Sequence, residues 1–327
     1  MNVLVTGGAG YVGSHTVLSL RKAGHDPVVF DNLSEGHREA VRGEELIEGD
    51  LADASRIRRA LKETQADAVM HFAASAYVGE SVEHPEKYYR NNVINTLKLL
   101  SAMRDVGVER MVFSSSCAVY GEPEEVPIRE EFPFCPLSPY GRTKAAVEWI
   151  LEDYNNAYDL SYASLRYFNA AGAAPDGSIG EDHRPETHLI PIIIEAAQGQ
   201  RSGVSIFGTD YPTRDGTCIR DYIHVMDLAR AHVLALEEMD ERDAMAYNLG
   251  TGTGHSVREV IEAVKEVTGR DFSVEEDEPR PGDPPELVAS SKRICDELDW
   301  RPSYRSLEEI VETAWEWHSH HPHGYGA

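Results

Sequence analysis

The stretch Val3-Leu4-Val5-Thr6-Gly7-Gly8-Ala9-Gly10-Tyr11-Val12-Gly13 decides the fold. Apolar β-formers run straight into a glycine turn, and a helical run through Leu20 to Gly24 follows. Strand, glycine turn and helix in that order are the context in which spaced glycines carry meaning. The glycines permit a tight turn and let the backbone approach a pyrophosphate, whose charge rests at the helix N-terminus. Gly7, Gly10, Tyr11, Val12 and Gly13 are therefore expected to line a dinucleotide site.

Working outward, Pro27-Val28-Val29-Phe30 is a second apolar run, and it ends in Asp31-Asn32. Asp31 stands where an acid accepts from the adenosine ribose hydroxyls. A carboxylate there repels a 2′-phosphate, so NAD is favoured over NADP. The rhythm continues through Glu45–Gly49 to Asp50-Leu51, then a helix from about Ala54. Ala68-Val69-Met70-His71-Phe72 leads to Ala73-Ala74, a helix covers about Tyr88 to Val106, and Arg110-Met111-Val112-Phe113 is the next strand. Short apolar strands alternating with helices predict a doubly wound parallel α/β sheet of Rossmann type. Ligands of such sheets bind beyond the carboxyl ends of the strands. Asp50, Leu51, Phe72, Ala73, Asn91 and Ser114 fall at such ends or in nearby helix starts, and Asn32, Ala74 and Tyr167 complete the expected cofactor set.

Tyr140 and Lys144 lie four positions apart at the start of a predicted helix, so they share one face. An ammonium beside a phenol favours the phenolate and is expected to draw the tyrosine pKa down from about 10. That makes a base able to take a proton from an alcohol. Ser116, at the sheet's carboxyl edge, is placed to hydrogen-bond a substrate oxygen. Ser116, Tyr140 and Lys144 thus read as positioner, acid/base and pKa tuner.

Composition narrows the class. The 327 residues allow two domains, and 41% hydrophobic content supports a sizeable core. No apolar run approaches the roughly 20 residues of a membrane helix, and the N-terminus reads as a strand rather than a signal peptide. Cys117, Cys135, Cys218 and Cys295 are widely spaced, which predicts neither disulfides nor zinc and suits a reducing cytoplasm. His318, His320, His321 and His323 read as a polar tail, and no metal site is expected. The net charge of −25 argues against nucleic-acid or anionic-membrane partners. With lysine at only seven positions and acids spread along the chain, the composition suggests a high-salt cytoplasm.

Over Val3 to about Gly324 the chain resembles the UDP-glucose 4-epimerases of the extended short-chain dehydrogenase/reductase superfamily. Thr6–His15, with its Gly-x-x-Gly-x-x-Gly spacing, carries the resemblance. So do His71-Phe72-Ala73-Ala74, Tyr88–Asn92, Phe113–Ser116, Ser138-Pro139-Tyr140-Gly141, Leu165–Asn169 and Gly216–Val225. The resemblance implies that Tyr140 removes the 4-hydroxyl proton of a UDP-sugar while hydride passes to NAD. The 4-keto sugar then turns, and hydride and proton return to its other face. It places the nucleotide-sugar on Ser116, Tyr140, Asn169, Leu189, Phe207, Arg220, Arg280, Asp283 and Leu287. Residues 1–169, with a returning segment near 217–238, would form the NAD-binding domain, and 170–327 a smaller α/β substrate lobe. A homodimer built from the helices beginning near Tyr88 and Tyr140 follows by analogy.

Three positions depart from the family pattern. His188 replaces an asparagine that contacts phosphate, Ala76 replaces a cofactor-binding lysine, and Leu287 stands where members restricted to glucose and galactose carry tyrosine. The smaller Leu287 predicts acceptance of N-acetylhexosamine nucleotides. A uronate epimerase or 4,6-dehydratase on the same scaffold remains an alternative, although Ser114-Ser115-Ser116-Cys117 lacks the acid a dehydratase uses to eliminate water. So does an NAD-sensing regulator, which has no need of Tyr140 and Lys144.

Overall fold

The computed structural model describes residues 1–280 and 282–326; Pro281, within the Glu278–Asp283 run, and Ala327 lie outside them. Six strands alternate with helices over the first half: β1 (Asn2–Thr6), β2 (Asp26–Asp31), β3 (Glu45–Glu48), β4 (Ala68–His71), β5 (Arg110–Ser116) and β6 (Ser161–Tyr167). Then come β7 (Asn169–Ala171), β8 (Gly203–Phe207), β9 (Ile219–His224), β10 (Ala244–Leu249), β11 (Gly254–Ser256), β12 (Ser273–Asp277) and β13 (Glu286–Leu287). The main sheet is wholly parallel, ordered β3-β2-β1-β4-β5-β6-β10. The order reverses at β1, where Thr6 lies opposite both Phe30 and His71. A crevice for ligands opens at such a reversal.

The sheet is covered on both faces because its strands are apolar on both. Val3 and Val5 pack toward Val17, Leu20, Leu228 and Ala231. Leu4, between them, packs toward Ile57, Leu61, Leu99 and Met103. Alternation along a strand thus feeds two separate helical layers. Each fully buried Val or Leu contributes about 1.5–3 kcal/mol.

The second half builds a lobe on smaller sheets. β11 and β13 flank β9, which also pairs with β7, while β8 pairs with β12. The lobe's core joins the helices Leu189–Ala197, Val257–Thr268 and Leu307–His320. The last two start with reciprocal capping boxes, Ser256 with Glu259 and Ser306 with Glu309. Later in the chain the helix Val225–Glu237 packs on the helix Tyr11–Lys22, and β10 pairs with β6 in the main sheet. The 217–238 expectation takes in that helix but misses the strand, and it includes β9, which belongs to the lobe's sheet. Among the described residues no helix is long and apolar enough to cross a membrane.

Candidate active site

The glycine turn after β1 is built so that backbone, not side chain, faces the sheet's carboxyl edge. Gly7 has φ +73°, and a Cβ there would lie 2.4 Å from the Ala73 nitrogen. A Cβ on Gly13 would lie 2.2 Å from the Gly7 oxygen. Gly10 has no such close neighbour; it is the N-cap of the Tyr11–Lys22 helix and caps it with no side chain. The first-turn amides are therefore left for an anion. Asp31 fastens the turn, accepting from Ala9 N at 3.0 Å and Leu33 N at 2.8 Å. Its buried carboxylate, raised above the ordinary aspartate value chiefly by desolvation, stands at the end of β2 as the ribose contact requires. Asn32 donates to Asp50 at 2.9 Å, joining the ends of β2 and β3. Leu51 packs into the core, so only its backbone is offered to a ligand. Phe72 packs against His232, Ala73 lies against Gly7, Ala74 follows beside them, and Asn91 donates to Ser75. These positions form a cradle fitted to a dinucleotide.

Ser138 caps the long helix Pro139–Tyr158 by accepting from Gly141 N at 3.1 Å, with Pro139 in the first turn. A Cβ on Gly141 would sit 2.4 Å from the Ala118 oxygen, so glycine lets the helix start lie against the turn that follows β5. That contact brings Tyr140 and Lys144, both buried, to Ser116 at the end of β5. Ser116 caps the Cys117–Val119 turn, accepting from Ala118 N at 3.2 Å. Ser114 Oγ meets the Tyr167 hydroxyl across the paired strands β5 and β6.

The charge states differ from the expected ones. Lys144 Nζ donates to the Ser114 carbonyl at 2.7 Å and lies 5.8 Å from the Tyr140 ring centre. Burial pushes Lys144 down to about 7, with Glu148 opposing weakly. Burial likewise pushes the Tyr140 phenol well above its ordinary value, with a smaller opposing contribution from a Ser116 hydrogen bond. Desolvation is therefore the largest influence on both groups, and it opposes the phenolate that was expected from Lys144.

On the lobe side, the structure gathers the residues implied for the nucleotide. Arg280 stacks 3.9 Å over the Phe207 ring, and Arg220 forms an ion pair with Asp283. Leu287 lies opposite Arg220 in the β13–β9 pairing and packs near Cys117 and Phe168. Asn169 begins β7, beside β9, and Leu189 begins its helix against the lobe core. His188, at that helix's N-cap, sits 2.6 Å from Glu181 instead.

Sequence reasoning missed the buried charge pair behind Tyr140 and Lys144. Glu148, one turn beyond Lys144, is buried and accepts from Ser115 and, at 2.7–3.1 Å, from Arg166. Arg166 also donates to the Tyr120 hydroxyl at 2.8 Å, which donates to Asn248 at 2.7 Å. The recurrence Tyr140, Lys144, Glu148 at every fourth residue is the signal that marks this stripe. His71, joining Thr6 at 2.7 Å and Thr96 at 2.8 Å, was read only as the end of a strand.

A parallel sheet carrying a dinucleotide cradle, with a Ser–Tyr–Lys group at its edge, defines a class of hydride-transferring enzymes. The chain belongs to the NAD-dependent epimerase/dehydratase family, whose model matches residues 3–250. It is 52% identical to the UDP-glucose 4-epimerase of Halalkalibacterium halodurans, over 99% of this chain and 98% of that one. The crystal structure of UDP-glucose 4-epimerase from Brucella ovis in complex with NAD superposes with a TM-score of 0.94 at 51% identity, covering 96% of this chain and 97% of that one. The UDP-Glc/GlcNAc 4-epimerase of Campylobacter jejuni is 42% identical with a TM-score of 0.85, covering 97% and 99%.

Proposed function

We infer that this enzyme inverts C4 of a UDP-hexose, interconverting UDP-glucose and UDP-galactose. The observation that carries the reading is the meeting of Tyr140, Ser116 and the Lys144–Ser114 contact at the same sheet edge as the glycine cradle, facing a lobe that presents Phe207, Arg220, Arg280 and Asp283.

Gly7, Gly10, Tyr11, Val12, Gly13, Asp31, Asn32 and Asp50 would hold NAD, which would supply a reversible hydride acceptor for the sugar's C4. The protein's own residues manage the proton. Tyr140 accepts it from the 4-hydroxyl and returns it once the ring presents its other face. Ser116 hydrogen-bonds the sugar oxygen and orients it. The phenol's buried site favours its neutral form, so the positive nicotinamide of bound NAD would supply charge that helps it act as a base. Arg220 and Arg280 bind the diphosphate, Asp283 the ribose and Phe207 the uracil.

Leu287 leaves room for a 2-acetamido group, so N-acetylhexosamine nucleotides are substrates as well. The reading also takes the protein to be cytoplasmic and a homodimer. Val78, Val82, Ile94 and Trp149, all exposed apolar side chains on or beside the helices expected at the dimer interface, are consistent with burial against a second copy. Incubation with UDP-galactose and measurement of UDP-glucose tests the assignment. Conversion that disappears in Tyr140→Phe supports it; tight NAD binding with no conversion by the wild type overturns it.

A further inference from the structure

Beside the cofactor cradle, the loop Glu181–His188 folds two carboxylates and two imidazoles onto one point. We propose that Glu181, His183, Glu186 and His188 bind a divalent transition-metal cation of the zinc class. One ligand atom from each of the four lies within 4.8 Å of all the others. His183 Nδ1 is 3.2 Å from Glu181 Oε1 and 3.8 Å from Glu186 Oε2, and His188 Nδ1 is 2.6 Å from Glu181 Oε1. Tetrahedral zinc with ligands at about 2.0–2.1 Å sets them about 3.4 Å apart, so small adjustments close the shell. Two imidazoles with two carboxylates form a donor set suited to zinc rather than to magnesium or calcium.

A second observation separates this cluster from a plain ion-pair cage. Glu181 is 3% exposed, and its Oε1, like His183 Nδ1, is buried with no hydrogen-bond partner despite the short approaches. Glu186 Oε1, by contrast, accepts from the Thr187 and His188 amides at 2.7 and 2.8 Å, which fixes the carboxylate and leaves Oε2 turned to His183. Such outer contacts are what hold a metal ligand in place. His188, with 47% of its side chain exposed, forms the solvent edge. A cleft of about 300 Å³, lined by Glu181, His183 and Glu186 and by the C-terminal His318 and His321, opens beside the cluster. One divalent cation also balances the two carboxylates as two imidazolium protons do, so exchange leaves the net charge unchanged.

The position gives the cation a task. Tyr11 and Tyr77 set their ring edges against His183 at 6.3 and 6.2 Å, Tyr11 donates to the Gly172 oxygen at 2.6 Å, and His37 lies 3.0 Å from the Asp182 oxygen. A lobe loop is thereby strapped onto segments that follow β1, β2 and β4. A bound cation pins that strap over the NAD cradle and slows loss of the cofactor. It also accounts for His188 at a position expected to hold a phosphate-binding asparagine.

The test starts from the NAD-bound protein, stripped with a chelator, dialysed and titrated with Zn²⁺ while metal content, melting temperature and NAD release are followed. One equivalent per chain, a raised melting temperature and slower NAD release are expected. Glu186→Gln and His183→Ala should weaken uptake at least ~100-fold, beyond the 10–100-fold typical of outer-shell changes. His188→Asn, which restores the family's residue at the solvent edge, serves where the others fail to fold. No uptake overturns the proposal. So does uptake that survives these changes and vanishes when His320 and His323 of the tail are replaced.

Discussion

Lys144 Nζ is hydrogen-bonded to the carbonyl oxygen of Ser114 at 2.7 Å, so the lysine is moored to the interior strand β5 two residues before Ser116. Its position is thus set by the backbone, while its charge is set by burial and by what binds beside it. Tyr140→Phe removes the proton carrier without disturbing that mooring. Turnover should fall by about 10²–10⁴-fold with NAD content unchanged. Near-normal turnover in the variant would show that another group is the base.

The glycines of the cradle differ in what they tolerate. Gly13→Ala drives a methyl into the Gly7 carbonyl, and Gly7→Ala meets both strain at φ +73° and the Ala73 backbone. Both should lower the melting temperature and abolish NAD retention. Gly10→Ala meets nothing closer than 3.4 Å, so it should keep the fold and lose affinity for NAD alone. Equal melting losses in all three would contradict this division.

The pair Arg166–Glu148 is buried at 8% and 6% side-chain exposure. Arg166→Met strands a buried carboxylate on the helix Pro139–Tyr158 and should cost about 3–5 kcal/mol in urea unfolding. Adding Glu148→Gln should recover part of that loss, because no unpaired charge remains. A double variant as unstable as the sum of the singles would refute the coupling.

Acid should unfold the protein through its buried histidines. Burial lowers His71 and His224 to about 3 and His15 and His232 to about 4. Between those values and about 6.5 the unfolded chain binds protons that the native chain does not, so stability rises with pH there. It is fully present above about 6.5 and is lost as pH falls toward 3, by up to about 1.4 kcal/mol per pH unit for each group. His71→Asn should flatten the slope by about one proton between pH 6 and 4; an unchanged slope would remove His71 from the account.

The acidic surface predicts a salt response. With a net charge of −25, screening should relieve repulsion, and the melting temperature should climb from about 0.1 M to molar KCl. No gain would mean an acidic enzyme without salt adaptation.

Leu287→Tyr should narrow the pocket. Activity on UDP-N-acetylglucosamine should drop ~10–200-fold while that on UDP-glucose holds, the size of effect expected from steric fit in an apolar pocket. Parallel losses on both would make Leu287 a packing residue only.

Local signals made the first domain readable. β1 and its glycine turn are adjacent in sequence, with Asp31 at the end of the very next strand, and backbone geometry in the turn permits few residue types. The apolar strands announced a sheet buried on both faces. Tyr140, Lys144 and Ser116 were legible by spacing and by their place after a strand. Glu148–Arg166 was not, because a buried charge pair looks like two surface charges until the fold removes water from both.

The amino-acid sequence by itself determined the doubly wound sheet and the glycine turn after β1, and it picked out Ser116, Tyr140 and Lys144 as the proposed catalytic group, since each follows from local periodicity or short spacing. Only the tertiary structure decided that burial pushes Lys144 down and Tyr140 up, each away from its charged form, because desolvation depends on what packs around a group. It alone brought Phe207, Arg220, Arg280 and Asp283 together across some 75 residues of chain. It also turned the loop Glu181–His188 inward, where irregular spacing of four ligating side chains becomes convergence on a point.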